Sequence, residues 1–80
     1  MMEFVDETVA KIMLAARPGD SIRRIAQKIG GSYSLVYDWI ERLEDAKIIV
    51  NDDNGIRIVD HEMRQRYAEM LAALYSRDTI

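Results

Sequence analysis

The chain is 80 residues long, carries 11 Lys and Arg against 14 Asp and Glu for a formal net charge of −3, and has no Cys. One small domain is expected, burying about 60% of the surface its unfolded chain exposes, with no disulfide or cysteine zinc site to brace it. The acidic balance argues against a protein that coats nucleic acid by bulk charge, so any such binding must come from a local patch.

No apolar run approaches the length needed to cross a bilayer, and Glu3, Asp6 and Glu7 make the first residues too acidic for a secretory signal. A soluble, cytoplasmic protein is expected. Phe4, Val5, Thr8, Val9, Ile12 and Met13 recur at helical spacing before Pro18-Gly19, which predicts a first helix over roughly residues 4 to 16. Asp20 or Ser21 can cap a second helix, "SIRRIAQKI", whose buried stripe is Ile22, Ile25, Ala26 and Ile29, with Gly30-Gly31 as its end. Ser32 is the natural cap of a third helix, in which Leu35, Val36, Trp39, Ile40 and Leu43 share a broad apolar face. "KIIV", the acidic turn "NDDNG" and "IRIV" then predict a β-hairpin, with Asn54-Gly55 as the turn signal because both residues tolerate positive φ. Asp60 can cap a last helix striped by Met63, Tyr67, Met70, Leu71 and Leu74.

The order is helix, helix, glycine turn, helix, hairpin, helix. It predicts a mainly α (α+β) fold: a winged helix-turn-helix with a three-helix core, a two-stranded wing and a C-terminal helix. Residues 1–59 make the winged unit, and residues 60–80 a C-terminal helix that is a possible dimerisation element or the start of a longer protein's next region. The end at "YSRDTI" suits either a complete small protein or an N-terminal domain.

"IAQKIGGSYSLVYDWIERLEDAKIIV" resembles prokaryotic winged helix-turn-helix transcriptional regulators, over at least residues 21 to 59. Ala26 stands at the small position where the two helices touch, Gly30 at the turn, Ser32 at the cap and Val36 at the buried position opposite. Ile40, Leu43, Glu44, Ala46, Ile48 and Ile49 are similar to the family's passage into the first wing strand. Lys47 stands where the family usually has Gly, at a cost of roughly 1 kcal/mol if the backbone is left-handed there. The wing tip, Asp52-Asp53-Asn54, lacks the Arg or Lys that wings reaching a minor groove generally use, which leaves Arg57 on the return strand as the wing's cation.

The resemblance implies double-stranded DNA as partner, with the third helix, residues 33–45, in the major groove. Arg23, Arg24 and Lys28 cluster on the helix that crosses the DNA backbone, and Arg24 with Lys28 is a like-charge pair that an anion would relieve. Phosphate is one such anion; the plainer alternative is a solvated face. Ser32, Tyr33, Ser34, Tyr37 and Asp38 occupy the first turns of the third helix, where the family's base-contacting side chains lie. Tyr can pack on a thymine methyl, Ser is a permissive hydrogen-bonder and Asp can accept from cytosine N4. The alternatives are tyrosines half-buried at the flank of the core and an intrahelical Asp38–Arg42 pair. Trp39 is expected in the core or against the wing, and His61 at the surface.

No nucleophile–base pair, Gly-rich phosphate loop or metal-ligand spacing stands out, so neither an enzyme nor a cofactor or metal is expected. Two function classes remain: a sequence-specific DNA-binding regulator, or a winged-helix domain used for protein contacts, including an adaptor for an enzyme encoded beyond Ile80. A positive stripe from Arg23, Arg24 and Lys28 past Tyr33 to Arg57 favours the first. An acidic or apolar surface there favours the second. The last helix is expected to support a homodimer through residues 60–76, setting two reading helices about 34 Å apart, unless its stripe folds back onto Phe4, Val9 and Ile12.

Overall fold

The computed structural model describes residues 6–77, with side chains through residue 74. Its elements are α1 (Glu7–Ala15), α2 (Ile22–Ile29), α3 (Tyr33–Asp45), β1 (Ile49–Asp52), β2 (Gly55–Ile58) and α4 (His61–Arg77). The layout is α+β, mainly helical with a two-stranded antiparallel sheet, in the order expected of a helix-turn-helix followed by a wing.

The first helix begins later than its periodicity predicts. Asp6 is extended (φ −152°) and its carboxylate accepts from the Thr8 amide at 2.7 Å, so the cap sets the start at Glu7. Phe4 and Val5 lie outside the described residues. Val9, Ala10, Ile12 and Met13 of α1, Ile25 and Ala26 of α2, and Val36, Ile40 and Leu43 of α3 build one core, closed below by Ile48, Ile49 and Ile56. Leu35 does not join it, contrary to the pattern. It lies a quarter-turn or more from Val36 and Ile40, outside the core cluster, and stays 45% exposed.

The wing is held by more than its own turn. Ile49 pairs with Ile58 and Asn51 with Ile56, which puts the apolar side chains on the core side. The free edge of β2 is met by the α1–α2 connection: the Ile56 amide donates to the Asp20 carbonyl at 2.9 Å and the Gly19 amide to the Ile56 carbonyl at 3.1 Å. That third strand-like contact has no periodic signature in the sequence. It is reached through the turn Arg17-Pro18-Gly19-Asp20, in which the Asp20 amide donates to the Arg17 carbonyl at 3.0 Å and Gly19 supplies φ 92°. At the wing tip, Asp53 and Asn54 make the turn. The Asp52 carboxylate accepts from the Asn54 amide at 2.9 Å, and only Gly55 of the expected Asn54-Gly55 pair takes positive φ (95°).

At the end of α3, Lys47 has φ 64°, the left-handed value for which the family resemblance implies glycine. Its amide donates to the Glu44 carbonyl and that of Ile48 to the Leu43 carbonyl, each at 2.9 Å, so the paired closing bonds of the helix override the side-chain penalty. Lys47→Gly should relieve about 1–2 kcal/mol of steric cost and lose about 0.5–1 to unfolded-chain entropy. A thermal melt is expected to rise by a few degrees.

Asp60 caps α4 as the sequence predicts, accepting from the Met63 amide at 3.0 Å. The helix folds back along α1: Tyr67 is wholly buried, Leu71 is buried, and Met63 and Met70 pack half-buried against the same core. What the stripe still offers a second copy is Leu74 with Ala72 and Ala73 beside it, all exposed. No helix among the described residues is long and apolar enough to cross a membrane.

Candidate nucleic-acid interface

Short polar caps and two glycines set the angle between α2 and α3. The Ser21 hydroxyl accepts from the Arg24 amide at 3.1 Å and the Ser32 hydroxyl from the Leu35 amide at 3.3 Å. Between them Gly30 takes φ 68°, and the Gly31 amide returns to the Ala26 carbonyl at 3.0 Å. Ala26 is buried, as a small residue must be for two helices to approach at this turn.

With Val36, Ile40 and Leu43 buried, the opposite face of α3 carries Ser34, Asp38, Glu41 and Asp45, all exposed. Tyr33 and Tyr37 flank this stripe at 51% and 40% exposure, their rings stacked with centroids 6.2 Å apart. The Glu41 carboxylate raises the Tyr37 phenol above its ordinary pKa, first by charge and then by hydrogen bonding, with desolvation, Tyr33 and Asp38 adding to it. Tyr37 is therefore a neutral aromatic at any physiological pH. The alternative partner for Asp38 is not taken up: the Arg42 guanidinium stands 4.9 Å over the Trp39 ring instead. Trp39 itself is half-buried against the core, and His61 is exposed.

The cations divide sharply. The anion that Arg24 and Lys28 call for lies within the chain, at Asp20, which is buried. Lys28 Nζ donates to the Asp20 carboxylate at 2.6 Å and to the Ala15 carbonyl at 3.1 Å, closing the C-terminal end of α1. Arg24 is only 3.5 Å from the other Asp20 oxygen, and its side chain is 68% exposed, a surface contact easily given up. Arg57 is paired with Asp52 across the outer face of the wing at 3.0 Å. Among the described residues no carboxylate pairs with Arg23. Arg23 and Tyr33 line one side of an open groove whose far wall is the wing, with Asn51, Asp53 and Asn54.

No family model, no curated protein and no solved structure matches this chain. The interface therefore stands on its own geometry. Arg23, Ser32, Tyr33, Ser34, Tyr37 and Asp38 are all exposed; Arg23 and Tyr33 line one groove, and Tyr33 is stacked with Tyr37. Lys28 is turned to the α1 side and Arg57 to the outer face of the wing. Sequence reasoning missed Asp20 as more than a cap, because it lies outside α2, before the extended cap Ser21 and bridged to Ile56, and only the turn after α1 brings its carboxylate to Lys28. Among the described residues no cluster of three His, Asp or Glu side chains is arranged to hold a metal.

Asp20 also has a pH signature. Hydrogen bonding from Lys28 lowers its pKa, assisted by the Arg17 amide and by the Lys28 and Arg24 charges, against a desolvation that opposes them. A carboxylate lowered in the folded state contributes stability that is complete above its unfolded pKa, near 3.9, and is lost as pH falls through the lower folded value. Asp20→Asn should cost about 2 kcal/mol at pH 7, the typical worth of hydrogen bonds to a charged group. Urea unfolding should show that gap closing as pH drops below about 4.

Proposed function

We propose that this chain is a cytoplasmic, sequence-specific binder of double-stranded DNA, a transcription regulator of the winged helix-turn-helix kind that sets α3 in the major groove. The observation that carries this reading is the uncovered first half of α3. Tyr33, Ser34, Tyr37 and Asp38 project from a rigid, doubly capped helix-turn-helix, and the unpaired Arg23 stands beside them on the helix that would follow the DNA backbone. The carboxylates Glu41 and Asp45 lie progressively farther along α3, where a helix entering a groove by its N-terminal end tilts away.

The charge pattern refines which cations act. Arg23 and Arg24 are available to phosphate, whereas Lys28 is held by Asp20 and the Ala15 carbonyl. Random-site selection on duplex DNA at low salt is the direct test, and recovery of no motif and no binding would end the DNA reading. On a bound duplex, Arg23→Ala and Arg24→Ala should each flatten the plot of log affinity against log salt by roughly one unit. Lys28→Ala should leave that slope unchanged while lowering the unfolding midpoint.

A second reading, a protein-contact domain, is favoured by one specific observation. Asp52 neutralises Arg57, and Asp20 holds Lys28, so the expected positive stripe is interrupted at both ends. Leu35, exposed on the flank of α3 opposite Tyr33 and Tyr37, offers apolar area on a second side of that helix.

A further inference from the structure

The chemistry of α3 points to the kind of base it takes, an inference that rests on the DNA reading. Its outward stripe, Ser34, Asp38, Glu41 and Asp45, holds three carboxylates, which accept, and one hydroxyl, which donates or accepts; the bordering Arg42 is turned over Trp39, and Tyr33 and Tyr37 bring aromatic surface to the other edge. In the major groove guanine presents only acceptors, N7 and O6, which a carboxylate repels. Adenine sets its amino donor directly beside the N7 acceptor, an edge matched by an amide rather than by a carboxylate. Cytosine presents the N4 amino donor next to its C5 position, with no acceptor on that exposed edge. Asp38 and Tyr37 are consecutive exposed residues of α3, Asp38 on the outward stripe and Tyr37 on its flank. The Tyr37 ring lies against that of Tyr33 and is 40% exposed, so it offers apolar surface at the edge of the stripe.

We propose that Asp38 and Tyr37 together read one cytosine of a C·G pair, Asp38 accepting from N4 and the Tyr37 ring packing on C5, so that a methyl group at C5 strengthens binding. The carboxylate supplies the choice of cytosine, and the stacked pair Tyr33–Tyr37 supplies the apolar surface for the methyl group. Burying one methyl is worth about 0.8 kcal/mol, or roughly fourfold in affinity.

The test uses the full chain and the duplex recovered by selection, with each cytosine in turn replaced by 5-methylcytosine and each C·G pair in turn by T·A. At one position methylation is expected to tighten binding roughly fourfold, and replacement by T·A to weaken it about tenfold or more. Tyr37→Ala should remove the methyl gain alone. Asp38→Asn should move the preference at that position from C·G to A·T, since an amide matches adenine's donor and acceptor. Both residues are exposed, so the variants are expected to melt like the parent. Binding in which methylation is without effect or harmful at every cytosine, or in which Asp38→Asn leaves base preference unchanged, overturns this inference and leaves DNA binding standing. Absence of duplex binding at low salt overturns both.

Discussion

Gly55→Ala is expected to lower the unfolding midpoint by roughly 15 °C or more, the outcome of about 3–4 kcal/mol lost from a small domain. A Cβ at Gly55 would stand 2.6 Å from the carbonyl carbon and oxygen of Gly19 and 2.7 Å from its Cα, all backbone atoms of a turn that itself bonds to β2. Neither side has a rotamer to change. The only relief is to separate the wing from the α1–α2 connection, and that breaks the Ile56–Asp20 and Gly19–Ile56 hydrogen bonds. The left-handed φ of 95° adds its own strain. Gly30→Ala is the matched control, because φ there is 68° but nothing lies within 4 Å of the added methyl. It should cost about 1–2 kcal/mol, the backbone term by itself. Calorimetry on the two variants separates collision from conformation, and equal losses would show that the Gly55–Gly19 contact carries no weight.

Tyr67→Ala should be comparably damaging, at about 3–5 kcal/mol, the usual range for emptying a large aromatic site in a core. Tyr67 is wholly buried and, with Leu71, joins α4 to the cluster formed by α1, α2 and α3. If α4 were an appendage, its truncation would leave the main thermal transition in place. If it is part of the domain, as its packing indicates, the whole chain should unfold together at a lower temperature. Leu74→Ala, at a side chain 40% exposed, is expected to change stability by no more than about 0.5 kcal/mol. Chemical denaturation with both fluorescence and circular dichroism distinguishes these outcomes, since coincident transitions mean one cooperative unit.

These two variants probe what makes the candidate interface rigid. Gly55 keeps the wing against the α1–α2 connection, and Tyr67 keeps α4 packed on α1 and the core. Base selection by side chains such as Asp38 and Tyr37 needs a fixed helix, because a hydrogen bond to a base edge is lost within a few tenths of an ångström and a poor angle. On the DNA-binding reading proposed above, partial loosening of the wing should therefore reduce discrimination between sites before it reduces nonspecific affinity, for which that reading uses the longer-ranged charge of Arg23 and Arg24.

Much of this protein was determined by local sequence. The helix order, the Ser21, Ser32 and Asp60 caps, the Gly30 turn, the two strand runs and the apolar stripes of α2 and α4 follow from periodicity and capping, which act over a few residues and leave their mark in a short window. The candidate surface on Tyr33, Ser34, Tyr37 and Asp38 was legible for the same reason, since a helix with a known core face has a known outer one. Tertiary structure decided the rest, where partners are distant or compete. Asp20 takes Lys28 because the turn after α1 brings a buried carboxylate to α2, and Arg42 takes Trp39 in preference to Asp38. Leu35 stays outside because the core closes over Val36, Ile40 and Leu43, a quarter-turn or more away. The contact of β2 with Asp20, and the fold-back of α4 onto α1, join segments far apart in the chain. Their register depends on how the core closes, a cooperative outcome of many weak apolar contacts that no short stretch of sequence encodes alone.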